Sequence, residues 1–287
     1  MMIRSATDAD RDVVFALGVQ EEIVWFGQAE ISPGEVGEWV DDEGGVSRGV
    51  VAIDDGECVR GFASPGRHLA VFLADPAWTD VVADQLLPWL DEQREVVELM
   101  TFAGDAARIA AFERHGLRHR RSSFLLARSE SAGALAAAVF PDGVEVARYR
   151  LGDDDEAVHR LIYIDAAWAS VPGHVERDLD AWREAARPCT SAFLARRHGQ
   201  PIGWIAGRLL ASSRGYVDTL AVATNDRRRG VGRGLLLHAL ADLRLAGASG
   251  LTLAVQAENQ SALGLYRSVD LEVEHEWRIY ATAQAKV

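Results

Sequence analysis

The stretch Leu220-Ala221-Val222-Ala223-Thr224-Asn225-Asp226-Arg227-Arg228-Arg229-Gly230-Val231-Gly232-Arg233-Gly234-Leu235-Leu236 carries the most information in this chain. An apolar strand end gives way to a polar turn. A basic, glycine-rich run then opens a helix with leucines at 235, 236, 240 and 243. The first turn of a helix holds N–H groups without internal partners, and its dipole adds positive potential. Glycine lets an anion approach the backbone, and arginines add charge. Each glycine inside a helix costs about 1 kcal/mol relative to alanine, so three in one helix start ask for a further use. The run therefore reads as a phosphate site. A Walker loop would end in Gly-Lys-Ser/Thr, and a dinucleotide fingerprint would need glycine where Leu235 stands.

The residues around this run predict a mixture of strands and helices. Strands are expected at 144–150, 192–197, 201–210, 215–222, 251–256 and 271–281. Helices are expected at 155–169, 176–186, 230–246 and 259–268. His198-Gly199-Gln200 joins two strands as a hairpin turn. The order is α+β, not strict βαβ alternation.

The chain has 287 residues, enough for two domains. Ser129 to Val144 reads as a linker that ends in Pro141-Asp142-Gly143, and its alanines 136–138 could form a helical turn. The expected division is 1–128, a linker 129–143, and 144–287. The two halves share a pattern. Ile3 to Asp10 and Val146 to Asp154 both read as a strand followed by an acidic helix start. Asp105 to Leu117 resembles Asn259 to Leu271, with Phe112 and Tyr266 at the same step.

A net charge of −13 argues against nucleic-acid binding and favours cationic small molecules. No apolar run is long enough to span a membrane, and Met1 to Ser5 lacks a signal-peptide core, so a cytoplasmic protein is expected. Cys58 and Cys189 have no metal-ligand spacing, and no metal is expected.

Arg227-x-x-Gly230-x-Gly232, following the Leu-Ala-Val strand end, resembles the acetyl-CoA pyrophosphate loop of the GCN5-related N-acetyltransferase (GNAT) superfamily. Asn259-x-x-Ala262 and Leu265-Tyr266 resemble that family's second motif. The resemblance implies two GNAT-like domains, each a mixed, mostly antiparallel sheet flanked by helices. It implies acetyl-CoA as cosubstrate, its diphosphate held by the amides of Arg228, Arg229, Gly230, Val231, Gly232, Arg233 and Gly234. The strand edge Leu220, Ala221 and Val222 would pair with the pantetheine arm, with Asn259 and Ala262 nearby. Tyr266 takes the place of the general acid that protonates the leaving thiolate. The family's Gly-Phe pair at the helix exit is replaced by Asp270-Leu271, a turn that Asp tolerates.

A neutral amine must attack the thioester, so a proton has to be removed. Strand alternation places Tyr216, Asp218 and Leu220 on one face. Asp218 is the expected base or water-orienter, and an N–H near Leu220 the expected carbonyl-polarising group. Trp168, Trp182, Trp204 and Tyr216 are candidate acceptor contacts, with Asp165 and Asp180 as cation partners. The acceptor expected is a small-molecule amine, with a cysteinyl amino-sugar as the alternative. A non-catalytic acyl-CoA sensor is the reading from another class, and the chain is expected to be a monomer or homodimer. In the first half the matching stretch, Leu73 to Leu87, has no glycine or arginine, and Asp75, Asp80 and Asp84 would repel a diphosphate. That half reads as a degenerate copy.

Overall fold

The computed structural model describes residues 1–287 apart from 30, 67–68, 94–95, 130–131, 169–176, 185–188 and 284–287. The chain runs β1 (Met2–Ser5), α1 (Arg11–Phe26), α2 (Pro33–Asp42), β2 (Val50–Ile53), β3 (Val59–Ser64), β4 (Val71–Ala74), α3 (Thr79–Gln93), β5 (Glu98–Phe102), α4 (Ala106–Arg114) and β6 (Arg118–Arg128). It continues through β7 (Val144–Arg148), α5 (Asp155–Arg160), α6 (Leu179–Glu184), β8 (Ser191–Arg197), β9 (Gln200–Leu209), β10 (Gly215–Val222), α7 (Val231–Leu245), β11 (Leu251–Gln256), α8 (Gln260–Arg267) and β12 (Leu271–Ala281). Two compact units result. One comprises residues 1–125, 256–258 and 274–287, the other 126–255 and 259–273.

In the first unit β1, β2, β3 and β4 form an antiparallel sheet in sequence order. Val14, Leu17, Val36 and Val40 of α1 and α2 pack with Phe62 and Leu73. Leu86 and Leu90 of α3 pack with Phe72, Phe112 and Tyr280. Tyr280 belongs to β12, whose Trp277–Ala281 segment runs antiparallel to Phe102–Glu98 of β5.

In the second unit the strand order is β11-β10-β9-β8-β7, with only β10 and β11 parallel. The β8–β9 hairpin turns on His198 and Gly199, with φ of +51° and +76°, as a two-residue turn matching the strand twist requires. Helix α7 lies close against the sheet because β9 offers glycines beneath it. A Cβ on Gly203 would come within 2.8 Å of Leu235, and one on Gly207 within 3.2 Å of Leu243. Leu235, Leu236, Leu240 and Leu243 are all fully buried, each contributing about 1.5–3 kcal/mol.

Two expectations need correction. Residues 161–165 do not continue α5 as an α-helix but form a π-turn, closed by the Ala166 N–H to the Leu161 carbonyl at 2.7 Å. Ala167 then takes φ +56°, which ends the helix; the expected end at Ala169 lies outside the described residues, as do 176 and 185–186. The alanines 136–138 form no helical turn. Among the described residues no helix is long and apolar enough to cross a membrane.

Candidate active site

The polar run between β10 and α7 forms a turn with two left-handed residues, Arg228 (φ +62°) and Gly230 (φ +89°), the latter being the N-cap of α7. Among the described residues the N–H groups of 228–233 meet no backbone acceptor. Such a series of unpaired amides at a helix start is an anion cradle. Arg228, Arg229 and Arg233 are exposed, and no carboxylate partner stands against them among the described residues. The one acid in the turn, Asp226, is neutralised by Arg197. A Cβ on Gly232 would meet Val222 at 3.4 Å and Leu265 at 3.6 Å, ordinary contact. The protein's own packing therefore does not demand glycine there.

Two loop residues serve the scaffold. Arg227 donates to the Ala166 carbonyl at 2.6 Å and to the Val222 carbonyl at 3.2 Å. With the Thr224 hydroxyl on the Asp165 carbonyl at 3.0 Å, it caps the π-turn and ties it to the loop. Gly234, expected among the diphosphate ligands, gives its N–H to the Gly230 carbonyl at 2.9 Å as the first helical bond. That amide is spent. Val231 is buried against Gly203.

Strands β10 and β11 pair over three residues only, Gly215–Val217 with Leu251–Leu253, and then part. Leu220, Ala221 and Val222 lie beyond the split, still paired on their other side with Ile205, Trp204 and Gly203. The register with β9 slips at Asp218, where Val217 faces Gly207 and Thr219 faces Ala206. This β-bulge overturns the expected alternation. Tyr216, Thr219 and Ala221 now face with Arg208, Ala206 and Trp204, while Leu220 turns to the α7 side. Asp218 is the extra residue of the bulge, held by Arg208 at 3.1 Å. Burial, with the neighbouring Asp218 carboxylate second, pushes the Tyr216 hydroxyl up to about 12. The same two causes, in the same order, hold the Cys189 thiol above its ordinary value. Neutral Cys189 is a poor nucleophile.

Tyr266 lies on α8 and is 9% exposed. Burial pushes its hydroxyl up to about 12, so it stays protonated at neutral pH. Among the described residues its hydroxyl has no hydrogen-bond partner, although burial makes one valuable. The Asn259 Oδ1 accepts the Ala262 N–H at 3.1 Å and caps α8. Asp270 takes the left-handed turn after α8 at φ +63° and pairs with Arg128 at 3.2 Å; Gly116 does the equivalent after α4 at φ +85°.

Trp168, Trp182 and Trp204 do come together, around a core that includes Val158, Leu161, Tyr163 and Ala221. Trp204 is buried, and its Nε1 has no hydrogen-bond partner among the described residues. Asp165 and Asp180 already face Arg160 and Arg183, at 3.8 and 3.3 Å.

In the first unit the corresponding place is filled from within. The Ala74 N–H, at the strand end that corresponds to Ala221, donates to the Glu21 carboxylate at 2.7 Å. Glu21 is gripped by both Arg108 terminal nitrogens, and the Arg108 guanidinium lies 5.1 Å from Trp25 and 5.4 Å from Phe72. Asp75 caps the following turn by accepting the Ala77 N–H at 3.1 Å, and Pro76 contributes no donor. Phe112, the counterpart of Tyr266, is buried between Phe72 and Tyr280. Sequence reading missed Glu21 and Arg108 because they lie 87 residues apart. It also missed Arg208, whose pairing depends on strand register.

Residues 156–270 match the Acetyltransferase (GNAT) family model. This segment is thus similar in sequence to GNAT acetyltransferases. A mycothiol acetyltransferase of Saccharopolyspora erythraea is 27% identical over 161 residues, 55% of this chain and 53% of that protein, so the match spans about half the relative's length. A GCN5-related N-acetyltransferase from Sphaerobacter thermophilus superposes with TM-score 0.77 at 18% identity, covering 98% of this chain and 95% of that one. A tandem GNAT protein from the clavulanic acid biosynthesis pathway superposes with TM-score 0.68 at 13% identity, covering 100% and 98%. The whole chain thus has a tandem GNAT fold, as the loop and the internal repeat led one to expect.

Proposed function

We propose that this chain is an N-acetyltransferase that moves acetyl from acetyl-CoA to the primary amine of a small cationic molecule in a ternary complex. The observation that carries the reading is the row of amides at 228–233, without backbone acceptors among the described residues, beside split strands and next to the helix that bears Tyr266. In this reading the amides of 228–233 and the side chains of Arg228, Arg229 and Arg233 hold the diphosphate. The edge from Leu220 to Val222 lines the pantetheine arm, and the family's N-acetyltransferase chemistry supplies the acetyl thioester. The amine nitrogen forms a bond to the carbonyl carbon while the carbon–sulfur bond breaks. A bulge amide near Leu220 donates to the carbonyl oxygen as negative charge develops there. Tyr266 gives its proton to the departing sulfur and regains one, through water, from the acylated nitrogen as it becomes the amide. Asp218, already held by Arg208, suits orienting the acceptor ammonium and the water that takes its proton. Cys189, kept protonated, takes no acyl group.

We assign this work to 144–287, with 129–143 as linker and 1–128 as a degenerate copy that binds no acyl-CoA, in a cytoplasmic monomer or homodimer. The relative's name supports a second acceptor, the cysteinyl amino-sugar precursor of mycothiol. The test is thiol release from acetyl-CoA across a library of amines that includes polyamines, aminoglycoside-like compounds and a cysteinyl amino-sugar. Amine-dependent release is expected. Tight acetyl-CoA binding with no release for any amine would favour a non-catalytic sensor.

A further inference from the structure

The segment just before β7 lies along the flank of α7 that borders β7 and β8. A Cβ on Gly234 would come within 2.6 Å of the Phe140 Cε1, 2.7 Å of its Cδ1, and 2.8 Å of the Val139 carbonyl oxygen. One turn along the helix, the His238 ring stands 6.3 Å from that of Phe140 and 4.3 Å from that of Phe193, both edge to face. One turn further, Asp242 takes Arg148 at 2.6 Å, and the Arg148 guanidinium lies 5.1 Å over Phe193. Towards the helix start, Pro141 Cγ is 4.0 Å from the place a Gly230 Cβ would occupy. Gly234, His238 and Asp242 form one stripe at four-residue spacing, and residues 140–148 follow it.

Gly230 and Gly234 are also the acceptor and donor of the first helical bond of α7. Helix ends fray, and a frayed first turn would scatter the amides of 230–233. The third glycine of the run thus has its own explanation: its missing side chain makes room for the Phe140 ring.

We infer that the strap Phe140–Pro141 is a positioning element of the acyl-CoA site. It pins the first turn of α7 through Gly230 and Gly234, so that the free amides stay aimed together. This rests on the proposed acyl-CoA site in the second unit. Phe140 acts through the helix and is not a catalytic residue.

The test compares wild type, Phe140→Ala, Phe140→Leu and Leu243→Val, the last a core change at the far end of α7. Acetyl-CoA KM, Kd and kcat are measured with melting temperature, together with hydrogen exchange of the Gly234 amide in the free protein. Phe140→Ala is expected to raise KM and Kd for acetyl-CoA about tenfold with kcat within about twofold, the signature of lost binding alone. Its Gly234 amide exchanges faster, and Phe140→Leu recovers most of both effects. Leu243→Val lowers the melting temperature without changing KM. Unchanged acetyl-CoA affinity in Phe140→Ala, or an equal loss in Leu243→Val, would overturn the strap while leaving the function intact. A wild-type chain that does not bind acetyl-CoA would overturn the function, and the strap's role with it.

Discussion

Gly232→Asp separates the fold from the function. Gly232 is the second residue of α7, and a Cβ there meets only Val222 at 3.4 Å and Leu265 at 3.6 Å. Replacing a helical glycine by aspartate gains only about 0.3 kcal/mol, and a carboxylate in the first turn gains about 0.3–1 kcal/mol from the dipole. The variant should therefore melt at or slightly above wild type. The ligand meets the opposite effect. At about 5 Å, with an effective dielectric between roughly 80 and 20, each like charge costs about 0.8–3 kcal/mol. A diphosphate carrying two such charges loses at least about 1.6 kcal/mol, or roughly fifteenfold in affinity. Gly232→Ala adds the Cβ without the charge and should stay within about threefold of wild type. Calorimetric titration with acetyl-CoA and thermal melts on the same samples give both numbers. Wild-type affinity in the Asp variant would refute the diphosphate assignment, and a large fall in its melting temperature would refute the packing argument.

Tyr266→Phe should lower kcat by about 10²-fold or more while acetyl-CoA affinity holds, because the hydroxyl has no partner among the described residues and is asked only to donate a proton; single-turnover thiol release checks it. Arg108→Ala should leave Glu21 buried and unpaired, cost about 3–5 kcal/mol in urea unfolding, and leave acetyl-CoA affinity at low temperature unchanged. Asp10 is pulled down to about 2 from 3.8, chiefly by its hydrogen bonds from Arg4. A depressed carboxyl stabilises the fold above its unfolded pKa and loses that contribution as pH falls through the folded one. Discounted for the half-exposed Arg4, the stability gap between wild type and Asp10→Asn should be about 1 kcal/mol at pH 5 and vanish near pH 2.

The loop was legible because its demands are local. Positive φ at Gly230, open amides and surplus arginines are all written within a few consecutive residues. The exit from α8 was legible for the same reason, since Asp270 adopts the turn its side chain permits. What the sequence hides depends on partners far away. The bulge at Asp218 is a property of its register with β9, and it moves Leu220 to the other face of the sheet. Nothing near Trp277 announces that it will pair with Phe102, so the last strand's place in the first unit was not readable. Gly234 looked like a phosphate ligand because a glycine required by a ring from the linker is indistinguishable from one required by an anion.

Amide hydrogen exchange with and without acetyl-CoA tests the central claim most directly. Residues 228–233 should become strongly protected at one bound molecule per chain, with no change around 74–80. Protection that appears at 74–80 instead, or a saturated chain whose 228–233 amides exchange as freely as before, would contradict it.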